Sequence, residues 1–319
     1  MEKKTHKLIK PIIICICVAI VLIMTASFLF FGVSTIKNSQ SSNLNPQLYD
    51  RLYHLVVTGD YESSPFLQKV YEGASRASSR YNAVVELHLP SSQAEDFSLQ
   101  EALNYSSYVN ADGVITFIDS PDTELTLLPG TDEESIPLVT TGQFSANINQ
   151  ISYIGISYWE LGKKIGEEVD YYLPEVGSVY ILNTNTSLSV SNTNLFPSLN
   201  KSLADRNKLR ITVNSISSID SSINYNQENI VVVCLSEEDT IYAAQYLSEL
   251  YPDKKYTLLG FGNNETCQLY FDKGMIDDLL ALDPVKIGET AIREFFEFRN
   301  NGYANSYIAA DLIATRSKK

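Results

Sequence analysis

Ile136–Val169 reads IPLVTTGQFSANINQISYIGISYWELGKKIGEEV, two short apolar runs that end in polar loops, the second passing through Ser157 into an amphipathic helix. Ser157 and Glu160 have the Ser-x-x-Glu spacing of a capping box, in which a hydroxyl and a carboxylate take up the amide donors that a helix start leaves unpaired. Leu161, Ile165 and Val169 then return every four residues and give the helix one apolar face. Gly162 and Gly166 give it a small-residue side, expected to lie close against a sheet.

The same alternation extends in both directions. Upstream, Leu52–Thr58 reads as a strand. Ser64 and Pro65 supply an N-cap and a first-turn proline, and Leu67, Val70, Tyr71, Ala74 and Ala77 form a helical stripe. A strand over Ala83–Leu89, a helix over Phe97–Val109 and a strand over Gly113–Ile118 follow. Runs such as Val114-Ile-Thr-Phe-Ile are apolar on both faces, the form taken by strands of a parallel sheet covered on both sides. Downstream the pattern predicts strands at Val179–Leu182, Leu209–Val213, Ile230–Leu235 and Tyr256–Phe261. Helices fall near Phe196–Ala204, Glu237–Leu250 and Glu265–Lys273. Asp283-Pro284 starts a last helix that ends at Asn301-Gly302, and a final strand covers Tyr307–Ile313.

Pro11–Val33 is a run of 23 residues without a charged side chain, long enough for a helix to cross about 30 Å of hydrocarbon. Lys3, Lys4, Lys7 and Lys10 precede it and only Lys37 follows closely, so the positive-inside bias places residues 1–10 in the cytoplasm and exports the rest. The run exceeds the apolar core of a cleaved signal and lacks a small-x-small site after it, so it reads as a single-pass cell-membrane anchor. Residues 34–50 then form a polar linker. Cys15 and Cys17 lie in the span, which leaves Cys234 and Cys267 outside it and their pairing open.

The formal net charge is −14; without the +3 of residues 1–10 the exported part carries −17. An acidic exterior argues against nucleic acid and anionic lipid as partners. Hydrophobic residues make up 44% of the chain, enough for a packed core without disulfide staples.

Val109-Asn-Ala-Asp-Gly-Val-Ile, Ile136-Pro-Leu-Val, Ile154-Gly-Ile-Ser-Tyr-Trp-Glu-Leu-Gly, Leu259-Gly-Phe-Gly-Asn and Asp283-Pro-Val-Lys-Ile-Gly, in this order and spacing, resemble the type I periplasmic binding proteins. That family includes ribose- and xylose-binding proteins and lactose-repressor-type sensor domains, and the resemblance runs from about Tyr53 to the C-terminus. It implies an α/β fold of two Rossmann-like lobes with parallel sheets, joined by a three-segment hinge and here preceded by one transmembrane helix. Residues 51–155 plus 284–302 would form the N-terminal lobe, and residues 156–283 plus 303–319 the C-terminal lobe. Crossings are then expected near 155–157, 281–284 and 302–306. No helix-turn-helix precedes the domain, against a repressor.

In open α/β sheets ligands bind beyond the carboxyl ends of strands, and this family binds between its lobes. The loops so placed nominate Asp60, Tyr61, Phe66, Asp119, Gln143, Phe144, Asn194, Ser236, Asn263 and Asp283 as ligand-binding residues. Each has a plainer role to weigh against that one. Phe66 and Phe144 suit a core, Asp119 a turn, Asp283 an N-cap before Pro284, and Trp159 packing at the hinge. Where sugar-binding members of the family carry Asp-Arg after the Ile-Pro strand, this chain has Gly142-Gln143. Where they carry Asn-Asp it has Ser236-Glu237, and the Asp of their Gly-Phe-Asp is Gly262. The expected Arg before the first helix of the second lobe is absent at Asn194-Leu195, and Leu282 precedes Asp-Pro.

Three readings remain open. One is a membrane-anchored sensor that closes on a small ligand, sugar-like or less polar, and signals to a partner such as a membrane histidine kinase. Another is a ligand-free binding-protein fold that serves as a protein-interaction module. The last is the substrate-binding component of an ABC transporter with a permease as partner. No cofactor, metal or enzymatic activity is expected, since His6, His54 and His88 assemble neither a metal cluster nor a triad. Gly260-x-Gly262 has Glu at position 265 and lacks the rest of a dinucleotide fingerprint.

Overall fold

The computed structural model describes residues 51–91, 98–126, 135–173, 177–182, 189–204, 209–213, 229–253 and 256–317. The expected anchor and linker lie outside the described residues. Two six-stranded sheets organise the chain. The first contains β1 (Tyr53–Thr58), β2 (Ala83–His88), β3 (Gly113–Ile118), β4 (Leu138–Gly142), β5 (Ser152–Gly155) and β11 (Tyr307–Ala309), in the order β11-β5-β4-β3-β1-β2. The second contains β6 (Ser178–Leu182), β7 (Leu209–Val213), β8 (Ile230–Cys234), β9 (Thr257–Phe261), β10 (Asp278–Leu282) and β12 (Leu312–Arg316), in the order β12-β10-β9-β8-β6-β7. Every pairing is parallel except β10 with β12. Two doubly wound α/β lobes result, the fold class expected from the apolar strand runs.

Seven helices among the described residues cover the sheets: α1 (Ser64–Ser78), α2 (Leu99–Tyr108), α3 (Tyr158–Tyr172), α4 (Ser189–Ala204), α5 (Glu237–Leu250), α6 (Glu265–Asp272) and α7 (Pro284–Asn301). β6 and β8 are buried along their whole length, as strands with helices on both faces must be. α7 returns to the first lobe, where Phe295 and Phe296 set their edges against Tyr53 at centroid distances of 6.2 and 5.2 Å. It crosses α1 at two glycines. A Cβ on Gly73 would lie 1.9 Å from the Val285 carbonyl oxygen, and one on Gly288 1.9 Å from that of Val70.

Several expectations are corrected. Gly162 and Gly166 face α4, not a sheet, since added Cβ atoms would meet the Leu195 carbonyl at 2.6 Å and Ser202 Cβ at 2.4 Å. Ser157 Oγ accepts from the Glu160 N–H at 3.4 Å. α2 begins after a capping box, in which Ser98 and Glu101 exchange bonds in both directions. Ser64 is the first residue of α1 and not its cap. Asp60 Oδ1 takes the Ser63 N–H at 2.7 Å instead. Cys234 and Cys267 are buried free thiols.

The single strand expected over Tyr307–Ile313 is two strands in two different sheets. The third crossing accordingly falls at Ala310–Asp311 and not at 302–306, and Tyr307–Ala309 pairs with β5 of the first sheet. Buried Glu294 holds the segment after Gly302 against its own helix, its Oε2 accepting from Asn305 N at 3.0 Å and Asn305 Nδ2 at 2.9 Å. Two main-chain bonds lace the crossings together. Ala310 N–H donates to Gly155 C=O and Asp283 N–H to Asp311 C=O, both at 2.8 Å.

β10 is a strand that the sequence hid, because it opens on an acid. Asp278 is fully buried, and buried Glu168 of α3 lies beside it. Arg316 of β12 donates to Glu168 Oε2 from Nε at 2.9 Å and Nη2 at 2.7 Å, with Lys164 Nζ 3.0 Å from Oε1. Burial, and then the hydrogen bond and charge of Glu168, push Asp278 up from 3.8 to about 7. Burial alone would raise Glu168 too, but Lys164 and Arg316 outweigh it and hold Glu168 low.

An acid raised on folding binds more protons in the native chain than in the unfolded one, between its two pKa values. Asp278 therefore contributes stability below about pH 4 that is lost as pH rises through about 7. The neutral isostere Asp278→Asn should flatten that slope in urea titrations. At pH 8 it should be more stable than wild type, by up to about 4 kcal/mol. Equal slopes in the two proteins would contradict the raised pKa of Asp278.

Candidate functional site

The carboxyl ends of β1, β3 and β4 present the first-lobe wall. Asp60 is spent on local structure: besides its bond to Ser63 N–H, its carbonyl accepts from Ser64 Oγ at 2.9 Å. Tyr61 beside it is exposed. Phe66, in the first turn of α1, is half-buried and stands edge-on to Phe117 of β3, with centroids 5.4 Å apart. Gly142 ends β4 at φ +89°, where a Cβ would strike the Ile118 carbonyl oxygen at 2.4 Å and the Phe117 ring at 2.8 Å. Glycine is therefore what allows the Phe117 ring to reach the end of the strand. The Gln143 N–H donates to Ile118 C=O at 2.8 Å, and its side chain is exposed with no hydrogen bond among the described residues.

Phe144 is 51% exposed and leans edge-on against Tyr153 at 5.4 Å. Tyr153 in turn stacks on Tyr307 at 5.8 Å and donates its hydroxyl to Gly142 C=O at 2.9 Å. Burial raises the Tyr153 phenol well above its ordinary value, so it remains a neutral donor. Asp119 is exposed and accepts from Thr123 Oγ1 at 3.3 Å, which matches the turn role weighed against binding.

On the second lobe Ser236 caps α5, its Oγ taking the Asp239 N–H at 3.1 Å. Asp283 caps α7 through the Lys286 N–H at 3.1 Å. Glu237, the first residue of α5, has a specific task. Its carboxylate accepts from Asn263 N at 2.9 Å, Asn264 N at 3.3 Å and Asn264 Nδ2 at 2.9 Å, and so braces the loop after β9. Gly262 (φ +132°) leaves the room, since a Cβ there would meet Glu237 Cγ at 2.4 Å. The carboxylate of residue 237 fills the space that a side chain at 262 would take. The Asn263 side chain remains half-buried without a partner among the described residues, and Asn194 is exposed on α4.

The ten nominated residues thus divide. Tyr61, Gln143, Phe144, Asn194 and Asn263 have no side-chain hydrogen bond among the described residues and could meet a ligand, and Phe66 offers one ring face. Asp60, Asp119, Ser236 and Asp283 are engaged in turns and caps. Phe117, Tyr153 and Glu237 were not nominated. Phe117 lay hidden in a buried strand, and only its position as the penultimate residue of that strand signals it. Trp159 is 43% exposed, with Lys201 Nζ 6.0 Å from its ring centroid. Of the second-lobe loops that follow strand ends, residues 184–195 lie partly and 219–224 wholly outside the described residues.

No protein-family model and no curated protein matches the chain. Solved structures do. An arabinose-binding protein, AraP, from Geobacillus stearothermophilus has a TM-score of 0.67 at 13% identity over 84% of this chain and 97% of its own. A chain of a mutant XylFII–LytSN complex has a TM-score of 0.62 at 18% identity, covering 82% of this chain and 97% of that one. A periplasmic ribose ABC transporter protein from Conexibacter woesei DSM 14684 has a TM-score of 0.60 at 13% identity, covering 83% and 92%. The fold is that of the type I periplasmic binding proteins.

Proposed function

We propose that the chain is a membrane-anchored, extracytoplasmic solute-binding sensor without enzymatic activity, which closes on a small ligand and passes its occupancy to a membrane partner such as a histidine kinase. The observation that carries this reading is the set of residues at the carboxyl ends of the first sheet: exposed Tyr61 and Phe144, the Phe66–Phe117 ring pair, and Gln143, whose amide has no partner among the described residues. Aromatic faces with a few amides suit a ligand with one apolar face and neutral polar edges, such as a deoxy sugar or a nucleoside. They suit a fully hydroxylated sugar less, because Glu237 at the start of α5 is committed to Asn263 and Asn264. The XylFII–LytSN complex supports a protein partner for this fold, and the ribose and arabinose relatives support a carbohydrate-like ligand.

Thermal melting of the full chain in detergent against sugars, deoxy sugars, nucleosides and amino acids tests this reading. A true ligand at a hundred times its Kd adds about 2.7 kcal/mol, a rise of roughly 5–10 °C for a body of this size. Phe144→Ala should leave the unliganded melting point near wild type, since the ring is half exposed, and weaken binding about tenfold. A flat panel would favour the interaction module instead. That reading has its own support in the four nominated polar residues that are taken up by caps and turns.

A further inference from the structure

Both sheets end on the same stretch of chain. β11 is the last strand of the first sheet and β12 the last strand of the second, so Tyr307–Arg316 forms one edge running along both lobes and across the third crossing. The bonding pattern tells which main-chain groups face outward. Ser317 N–H donates to Asp277 C=O and Asp283 N–H to Asp311 C=O, so in the antiparallel ladder residues 311, 313, 315 and 317 turn inward. Leu312, Ala314 and Arg316 turn their N–H and C=O groups outward. Along β11, Ser306 C=O and Ala310 N–H are bonded to β5, which leaves those of Tyr307 and Ala309 facing out. Among the described residues no strand covers this edge, and neither a proline nor a lysine interrupts it.

A groove of about 360 Å³ lies alongside, where Ala309–Leu312 meets the outer side of α3. Glu160, Glu167, Asp311, Lys163 and Lys164 contribute its charge, and Lys164 already pairs with buried Glu168. Glu160 lies 3.9 Å from Lys163 and Glu167 3.5 Å from Lys164, which leaves Asp311 without an ion pair among the described residues and gives the lining, three acids against two lysines, a net charge of −1. Exposed Tyr307 and Ile313 add apolar contact along the edge.

We propose that an extended, Lys- or Arg-bearing segment of a partner protein adds as a strand to the Tyr307–Arg316 edge, with its basic side chains in the groove beside α3. Strand addition satisfies the outward main-chain groups and needs no preformed cavity. The net charge of the groove, added to that of the whole chain, favours a basic segment. It also disfavours a second copy of this chain, whose formal net charge is −14. Because the edge crosses the hinge at Ala310–Asp311, a strand bonded to both β11 and β12 fits only one relative setting of the lobes. Cleft occupancy and partner binding are thereby coupled. This coupling rests on the sensor reading above, but the docking edge itself does not.

Ala314→Pro isolates the proposal. Its N–H points outward, so proline removes a docking donor while sparing the ladder to β10, and proline is tolerated on an edge in this orientation. The probe is a labelled synthetic peptide of alternating Val and Lys, with its Val/Glu counterpart as control, added to the full chain in detergent micelles. The Val/Lys peptide should bind wild type and slow amide exchange at Tyr307, Ala309, Leu312, Ala314 and Arg316 at least tenfold. Binding should weaken at least tenfold in Ala314→Pro and fall with added salt, and the Val/Glu peptide should not bind. Unchanged affinity in Ala314→Pro, equal binding of the two peptides, or protection of these amides by self-association alone would each overturn the proposal. If the peptide protects the edge while every solute leaves the melting point unmoved, the sensor reading fails and the docking edge stands.

Discussion

Gly288→Ala should destabilise the chain by about 3 kcal/mol or more, read as a lowered urea midpoint at unchanged slope. The added methyl would sit 1.9 Å from the Val70 carbonyl oxygen and 2.7 Å from the Ala74 amide nitrogen. Both are backbone atoms, which no rotamer change moves aside. Relief requires α1 and α7 to separate, and that opens the layer in which Phe295, Phe296 and Tyr53 interlock. Gly73→Ala meets the Val285 carbonyl at the same distance from the opposite helix and should cost a similar amount. The two together should cost less than their sum, since one separation relieves both. By contrast Gly274→Ala adds no clash, because nothing lies within 4 Å of a Cβ there, and is penalised only by its φ of +71°.

Arg316→Leu should have the other large effect. It keeps apolar contact for Tyr171, whose ring lies 3.9 Å from the guanidinium carbon, but removes the charge facing two buried carboxylates. Uncovering such a charge costs about 3 kcal/mol, the low end for buried pairs because Arg316 is itself partly exposed. The loss should be larger at pH 8 than at pH 5, where Asp278 with its pKa near 7 carries a proton. A loss independent of pH would place the effect in packing alone.

The alternation of strands and helices was legible because the central strands of both sheets are buried on both faces and read as mostly apolar runs. What failed to show were features that depend on a partner distant in sequence. β10 begins at Asp278, tolerated in the core only because Glu168 and Arg316 arrive from α3 and β12. Tyr307–Ile313 looked like one strand because its split is set by which sheet each half joins. The small side of α3 was visible in Gly162 and Gly166, but periodicity gives the direction of a face and not its neighbour, here α4. At the site, the loops carrying Tyr61, Gln143 and Phe144 followed from strand ends. Asp60, Asp119, Ser236 and Asp283 illustrate the limit: helix caps, turns and ligand contacts recruit the same residue types at the same strand ends.

The central claim is that the lobes close on a solute held between their strand ends, and the distance between them measures it directly. Spin labels on cysteines replacing exposed Gln68 of α1 and Tyr242 of α5 would report that distance by pulsed electron resonance. Native Cys234 and Cys267 should stay unlabelled, being buried, with the Cys267 thiol pushed up to about 12. The account predicts a shorter, narrower distance distribution when a solute that raises the melting point is added, over the same concentration range as that rise. A distribution that stays unchanged at saturating solute would contradict it.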